Sequence, residues 1–232
     1  MIRAVLTDIE GTTTSLDFVK EILFPYAAQR LGPFLAEHGS RPELREIRTQ
    51  IEMVEGRALS LGDCTEILRQ WMAEDRKVTP LKSLQGLIWE DAYLRGDLKG
   101  HIYPDAALAL RQWKAQGLRL FIFSSGSVKA QQLLFSHSEE GDLSPLFSGY
   151  FDTTTGAKGD PSSYEAIART IGFDSPEILF LSDIATELAA ARMAGFKVIG
   201  LNRAGCRPTA DPGPWVLDFS AIDPARLSTE WK

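Results

Sequence analysis

Residues 1–14 read MIRAVLTDIEGTTT, and this stretch decides the fold. The apolar and β-branched run from Ile2 to Leu6 predicts a short buried strand that leads into Asp8. Gly11 and the threonines after it are typical of a loop. A lone aspartate at a strand end usually caps a helix or stabilises a turn. The role of Asp8 therefore depends on what the rest of the chain brings to it.

The second half of the chain alternates apolar runs with helical patterns. Strands are predicted at Leu118–Phe123, Tyr150–Asp152, Ile178–Leu181 and Val198–Leu201, and helices at Asp105–Gln116, Ser162–Gly172 and 184–194. Ser162 and Glu165 predict a capping box at the start of one helix. Such alternation is typical of a parallel α/β sheet, which the first strand of the chain is expected to join.

Residues 16–100 differ because their apolar residues recur at helical spacing and no convincing strand is present. Asp63 and Glu66 predict a capping box at the start of one of these helices. The sequence therefore predicts a parallel-sheet, Rossmann-like α/β core formed by residues 1–15 and 101–232. An all-helical cap domain, residues 16–100, is inserted after the first strand.

The composition argues against several classes of protein. The net charge of −6 disfavours a nucleic-acid binder, which needs a basic surface. No stretch approaches the ~20 apolar residues of a membrane span, and the first residues lack the apolar run of a signal peptide. Cys64 and Cys206 are expected to be ordinary reduced thiols. We expect a cytoplasmic monomer that binds a small molecule rather than a nucleic acid or a membrane.

Polar residues also follow the other predicted strands. Ser124 and Ser125 come after the second strand, Lys158 lies in the loop after the third, and Asp183 follows the fourth. Ligands of parallel α/β sheets bind beyond the carboxyl ends of the strands, so these side chains are expected to meet Asp8 there. Singly, such serines usually cap helices and such a lysine is usually solvated. Their joint order along the chain favours one common site.

The chemistry of this set suits phosphoryl transfer. Asp8 is able to attack phosphorus and form an aspartyl phosphate. Attack on a phosphate dianion requires a cation, and Mg²⁺ prefers oxygen ligands such as the carboxylates of Asp8 and Asp183. The lysine and one of the serines are predicted to bind phosphate oxygens. Glu10 is a candidate general acid and base, whereas Glu187 is either part of this site or an exposed partner on its own helix.

The four segments DIEGTTT, FSSGS, TTGAKGDPSSY and FLSDIATEL resemble the four motifs of the haloacid dehalogenase superfamily. Within it, they are similar to the enolase-phosphatases of methionine salvage, and the similarity runs along nearly the whole chain. The helical insertion resembles the helical cap of the superfamily. One departure from the superfamily pattern D-x-D-G-T is Glu10, which stands where an aspartate is usual.

The resemblance implies an enzyme with one Mg²⁺ per chain. Its substrate would be 2,3-diketo-5-methylthiopentyl 1-phosphate, which is enolised and then dephosphorylated to the acireductone 1,2-dihydroxy-3-keto-5-methylthiopentene. By the same resemblance, Asp8 is the nucleophile and a metal ligand, and Asp183 is a second metal ligand. Glu10 is the acid and base and contacts the metal through its backbone carbonyl. The residues that the resemblance assigns to the substrate phosphate are Ser124, Ser125 and Lys158.

The step that moves a proton on carbon is not assigned by the motifs. Glu10 is one methylene longer than aspartate and its usual pKa is higher by ~0.4, and both properties suit a group that reaches further and holds a proton. We hypothesise that Glu10 also shuttles the enolisation proton. Four large side chains of the cap invite a role in holding the methylthio group, although their helical spacing favours a packed core. They are Trp71, Met72, Trp89 and Tyr93.

Other functions remain open from the sequence alone. Another small-molecule phosphatase or a phosphomutase of the same superfamily would share these core residues. A haloacid dehalogenase needs neither Mg²⁺ nor a second acid, so Glu10 argues against it. A non-catalytic phosphate-binding module is disfavoured because every polar catalytic group is present.

Overall fold

The computed structural model describes residues 1–74, 76, 78–205 and 213–228. Its strands are β1 (Ala4–Thr7), β2 (Arg119–Phe123), β3 (Phe147–Phe151), β4 (Ile178–Ser182), β5 (Lys197–Leu201) and β6 (Trp215–Val216). They form one six-stranded sheet in the order β3-β2-β1-β4-β5-β6, and every neighbouring pair is parallel. This is the order of a doubly wound, Rossmann-like sheet, and the chain changes winding direction between β1 and β4. The predicted parallel α/β fold is confirmed.

The described α-helices are α1 (Phe24–His38), α2 (Pro42–Glu55), α3 (Leu61–Ala73), α4 (Thr79–Arg95), α5 (Pro104–Ala115), α6 (Val128–Ser136), α7 (Pro161–Ile171) and α8 (Ala185–Met193). Every residue of β1 and β4 is buried, which explains why these strands read as continuous apolar runs. Side chains of α7 and α8 pack against the sheet in one apolar core, with Tyr164, Ile167 and Leu188 buried there.

Residue contacts divide the chain into two compact units, Met1–Leu16 with Lys99–Lys232, and Asp17–Leu98. The first unit contains the sheet. Among its described residues, the second unit consists of a π-helical turn, Phe18–Leu23, and α1 to α4. Its core includes Trp71, and the partly buried Met72 and Trp89 pack against this core. No helix of the described residues combines the length and the apolar character that crossing a bilayer requires.

Both predicted capping boxes are wrong in their residues. α3 begins at Leu61, so its box joins Ser60 to Asp63, and Glu66 lies further along the helix. α7 begins at Pro161, and the Asp160 carboxylate caps it by accepting the backbone N–H of Ser162 at 2.9 Å. In each case the helix starts one to three residues earlier than predicted. The pattern of apolar residues marks a helix well but marks its first turn poorly.

The sixth strand was not predicted. β6 has two residues, which is too short to show an apolar run or an alternation. It pairs with Gly200 and Leu201 at the edge of the sheet. Gly200 is required there, since a Cβ at this position would lie 2.3 Å from the ring of Trp215. Cys64 is a buried free thiol, and Cys206 lies outside the described residues.

Candidate active site

Asp8 lies directly after β1, at the point where the sheet changes winding direction. Its backbone N–H donates to the carbonyl of Leu181 in β4 at 2.9 Å, and its side chain is nearly buried. The hydroxyls of Thr7 and Thr13 donate to the Asp8 carbonyl at 3.0 and 3.2 Å. The backbone of Asp8 is therefore held by the neighbouring strand and by two threonine hydroxyls.

Lys158 lies against Asp8, as the sequence predicted. Its Nζ is 2.6 Å from Asp8 Oδ1 and 2.7 Å from Glu187 Oε2, and its side chain is buried. Burial opposes the positive charge, but the two carboxylates outweigh it and raise the pKa of Lys158. The Tyr164 hydroxyl, from α7, donates to the Lys158 carbonyl at 2.7 Å. Lys158 is thus a fixed cation next to the carboxylate and is not a base at neutral pH.

Glu187 belongs to this cluster and is not an exposed partner on its helix. Its Oε2 also accepts the Ser182 hydroxyl at 2.8 Å, and that hydroxyl oxygen accepts the Ile184 N–H at 3.1 Å. Burial and the charge of Asp8 raise the pKa of Glu187, and Lys158 opposes this. In the sequence, the position of Glu187 one turn into the helix that follows Asp183 indicates that it could belong to the site.

Asp183 follows β4 and contacts the loop after Asp8. Gly11 in that loop has φ +71°, and a Cβ there would lie 2.1 Å from Asp183 Oδ2. Only glycine combines this left-handed backbone with such a close approach. Burial, together with the charge of Asp8, raises the pKa of Asp183 to about 7. The structure therefore brings the carboxylates of Asp8 and Asp183, which follow neighbouring strands, close together in one largely buried site.

A divalent cation fits between these carboxylates. Asp183 Oδ1 is buried and has no hydrogen-bond partner among the described residues, although most buried polar atoms have one. Carboxylate oxygens suit Mg²⁺, which binds through one or two carboxylates and keeps several waters. No group of three His, Cys, Asp or Glu side chains in the described residues is placed so that all three could hold one metal ion. A cation here would therefore rely on two carboxylates, with backbone carbonyl and water oxygens completing its coordination.

The serines after β2 lie in a turn at the end of the strand next to β1. Ser124 is buried, and its Oγ accepts the Gly126 N–H at 3.2 Å, which leaves the hydroxyl proton for another acceptor. Ser125 is exposed. Gln131 of α6 fixes this turn, since its Nε2 donates to the carbonyls of Gly126 and Phe151 at 2.8 and 2.9 Å.

Glu10 lies in the loop of residues 9–14, named here the nucleophile loop after the role that the sequence predicts for Asp8, and its side chain is exposed. The N–H groups of Thr12, Thr13 and Thr14 all donate to the Ile9 carbonyl, at 3.2, 2.9 and 2.9 Å. This compact turn directs Glu10 away from the protein interior.

Known proteins are similar to this chain in both sequence and fold. A family model of haloacid dehalogenase-like hydrolases matches residues 2–195. An enolase-phosphatase E1 of Pseudomonas aeruginosa (strain UCBPP-PA14) is 52% identical over 95% of this chain and 98% of its own. The enolase-phosphatase E1 of Aquifex aeolicus is 49% identical over 91% of this chain and 95% of its own.

Solved structures agree with this relationship. The UTR4 protein of Saccharomyces cerevisiae is 32% identical, with a TM-score of 0.81 over 96% of this chain and 100% of its own. An L-2-haloacid dehalogenase of Xanthobacter autotrophicus shares the fold, with 20% identity and a TM-score of 0.59 over the whole of both chains. The chain belongs to the enolase-phosphatase E1 family of the haloacid dehalogenase-like hydrolases.

Proposed function

We propose that this phosphatase converts 2,3-diketo-5-methylthiopentyl 1-phosphate, through its enol, into 1,2-dihydroxy-3-keto-5-methylthiopentene and phosphate in methionine salvage. The observation that carries the proposal is the buried cluster in which Lys158 contacts Asp8 while Asp183 Oδ1 has no hydrogen-bond partner in the described chain. The identity of about half the residues with enolase-phosphatases E1 supports the choice of substrate. Purified protein should release one phosphate for each acireductone formed.

The phosphatase half-reactions follow from the positions of the side chains. One carboxylate oxygen of Asp8 attacks phosphorus, and the bond to the substrate oxygen breaks to leave an aspartyl phosphate. Glu10 gives its proton to the departing oxygen. It then takes a proton from water, which attacks the aspartyl phosphate and releases phosphate and free Asp8. Lys158 and Ser124 bind the phosphate oxygens throughout, and exposed Ser125 joins them.

Mg²⁺, held by Asp8, Asp183 and the Glu10 carbonyl, would neutralise charge between nucleophile and phosphate and polarise the diketone oxygens. Enolisation also requires a side chain that transfers the proton on carbon. Lys158 is held as a cation by two carboxylates, so it does not accept that proton. Glu10 is the exposed carboxylate of the nucleophile loop, and we assign the transfer to it. The helical unit 17–98 is proposed to select the substrate.

The substitution Glu10→Asp should slow enolisation more than it weakens binding of the substrate. The carboxylate retreats by one methylene, and a displacement of this size costs up to about 100-fold in rate when geometry matters. The measurement is the rise of enol absorbance with the diketo phosphate, compared between the parent protein and Glu10→Asp. An unchanged rate of enol formation would rule out Glu10 as the group that moves this proton.

Mg²⁺ should stabilise the protein in a pH-dependent way. In the folded protein the pKa of Asp183 is about 7, which is above the usual value for an aspartate. The metal-free protein therefore loses stability as the pH rises from the usual pKa of an aspartate through 7. The cation binds the deprotonated carboxylate and offsets this loss. We expect Mg²⁺ to raise the midpoint of thermal unfolding strongly at pH 8 and weakly at pH 5.5. Equal increases at both pH values, or an increase retained in Asp183→Asn, would contradict the metal site.

We further propose that the protein acts as a cytoplasmic monomer with one Mg²⁺ per chain. The described part of unit Met1–Leu16 with Lys99–Lys232 contains both proposed carboxylate ligands, the lysine and the serines. A single chain therefore supplies every residue to which the mechanism assigns a role.

A further inference from the structure

Arg203 lies two residues after β5 and contacts the nucleophile loop from outside the site. Its Nη2 and Nε donate to the Thr12 carbonyl at 2.8 and 3.2 Å. Its Nη1 donates to both carboxylate oxygens of Asp105 at 2.9 and 2.8 Å. The name Arg203 clamp is used here for Arg203 together with the Thr12 carbonyl and the Asp105 carboxylate. The guanidinium uses its fork of donors to join a loop carbonyl to a carboxylate, which a lysine is not able to do.

The surroundings of the clamp keep it in place. The guanidinium carbon lies 3.9 Å from the centroid of the Tyr103 ring and 5.4 Å from that of Phe219. The Asp105 carboxylate also accepts the Phe219 N–H at 2.9 Å. In addition, the Tyr103 N–H donates to the Thr13 carbonyl at 2.9 Å. Two consecutive carbonyls of the nucleophile loop are thus fixed by segments far away in sequence.

The clamp acts on Glu10 more than on Asp8. Asp8 is fixed mainly from outside the loop, because its N–H bonds to β4 and its carboxylate bonds to Lys158, and the Thr13 hydroxyl adds one bond from the loop to its carbonyl. Glu10 sits between Asp8 and the clamped Thr12, on the part of the loop that turns away from the sheet. Its backbone belongs to the compact turn in which the Thr12 N–H donates to the Ile9 carbonyl at 3.2 Å. The position of Glu10 in this turn therefore depends on the loop conformation that Arg203 holds through the Thr12 carbonyl.

We propose that Arg203, oriented by Asp105, is a positioning residue for Glu10 in the proton-transfer steps. The inference rests on the proposed role of Glu10 as general acid. It predicts that loss of the clamp lowers the rate wherever protonation of the leaving oxygen is needed. Attack by Asp8 on a phosphate with a good leaving group should proceed almost unchanged.

The test compares two substrates by the Mg²⁺-dependent release of their leaving groups in the first turnover, before the aspartyl phosphate is hydrolysed. Phenyl phosphate has a leaving group that needs a proton, whereas that of 4-nitrophenyl phosphate needs little help. Since general acid catalysis contributes about 10²–10⁴-fold, Glu10→Gln should lose on the order of 100-fold on phenyl phosphate and far less on the nitro compound. Arg203→Lys should lose about 10-fold on phenyl phosphate alone, at unchanged KM, because a lysine does not span both acceptors. In Glu10→Gln, adding Arg203→Lys should remove no further selectivity.

The ratio of the two rates is taken on one sample, so a fraction of misfolded protein does not alter it. Asp105→Asn is the second variant, since the amide still fills the position but orients Arg203 less firmly. It should show the same selective loss as Arg203→Lys.

A matched control is Arg3→Met, because Arg3 also pairs with a carboxylate, Glu177, and lies 4.1 Å from the Phe173 ring centroid. Arg3 precedes β1, at the sheet end opposite to Asp8. Its variant should keep the parent ratio.

Each outcome decides between the two ideas. Selective loss in both Glu10→Gln and Arg203→Lys supports the positioning role. Selective loss in Glu10→Gln with equal loss, or none, on both substrates in Arg203→Lys overturns the inference and leaves the proposed function intact. No selective loss in Glu10→Gln overturns its role as the acid, and the inference with it.

Discussion

Replacing Asp8 by asparagine is expected to abolish release of phosphate from every substrate. An amide oxygen does not form the aspartyl phosphate, and loss of a covalent nucleophile typically costs at least about 10⁴-fold in kcat. The fold should survive, because asparagine has the same shape and the backbone N–H of residue 8 still reaches the Leu181 carbonyl. The measurement is Mg²⁺-dependent phosphate release from 4-nitrophenyl phosphate, with thermal unfolding as the check on folding.

Asp174→Asn is the matched control, since Asp174 is an exposed carboxylate at the opposite end of β4 and lies outside the site. It should keep the parent rate. Rapid quenching of the parent protein with substrate should yield a phosphorylated peptide that contains Asp8, and Asp8→Asn should yield none. Activity of Asp8→Asn within tenfold of the parent would show that another group attacks phosphorus.

Replacing Lys158 by methionine should damage both stability and activity. The ammonium separates two buried carboxylates, at 2.6 Å from Asp8 and 2.7 Å from Glu187. Removing one partner of a buried ion pair costs about 3–5 kcal/mol, because the remaining charge is left uncompensated. Removing one preorganised group that stabilises developing charge costs about 10²–10³-fold in kcat. Urea unfolding and phosphate release measure the two effects on the same sample.

A second substitution separates charge from packing in this cluster. In Lys158→Met, adding Glu187→Gln removes one of the two uncompensated carboxylates, so part of the lost free energy of unfolding should return. Glu187→Gln alone should destabilise, since Lys158 then loses one of its two anions. Strictly additive losses in the double variant would contradict the view that Lys158 is there to neutralise these carboxylates.

Much of the fold could be predicted because burial leaves a direct trace in the sequence. β1 and β4 are covered on both faces, and each therefore appears as an unbroken apolar run that ends in a polar residue. The rule that ligands bind beyond the carboxyl ends of such strands then placed Asp8, Lys158 and Asp183 together. Helix starts were predicted less well, as the Asp160 cap of α7 shows.

Other parts of the site depend on contacts that no local pattern reveals. Glu187 could be buried or exposed on its helix, and only its hydrogen bonds to Lys158 and Ser182 decide the question. The Arg203 clamp joins residues 98 positions apart, and a single arginine after a strand carries no motif. Such pairs are set by the packing of the whole domain and are found only once the backbone is known.

The most direct test of the account is one time course with 2,3-diketo-5-methylthiopentyl 1-phosphate and Mg²⁺. Ultraviolet absorbance of the enol and free phosphate are recorded in the same sample. We predict that the enol absorbance rises before phosphate appears, and that acireductone and phosphate finally form in equal amounts. Phosphate that appears without a preceding enol would reduce the protein to a simple phosphatase, and the absence of both signals would contradict the proposed substrate.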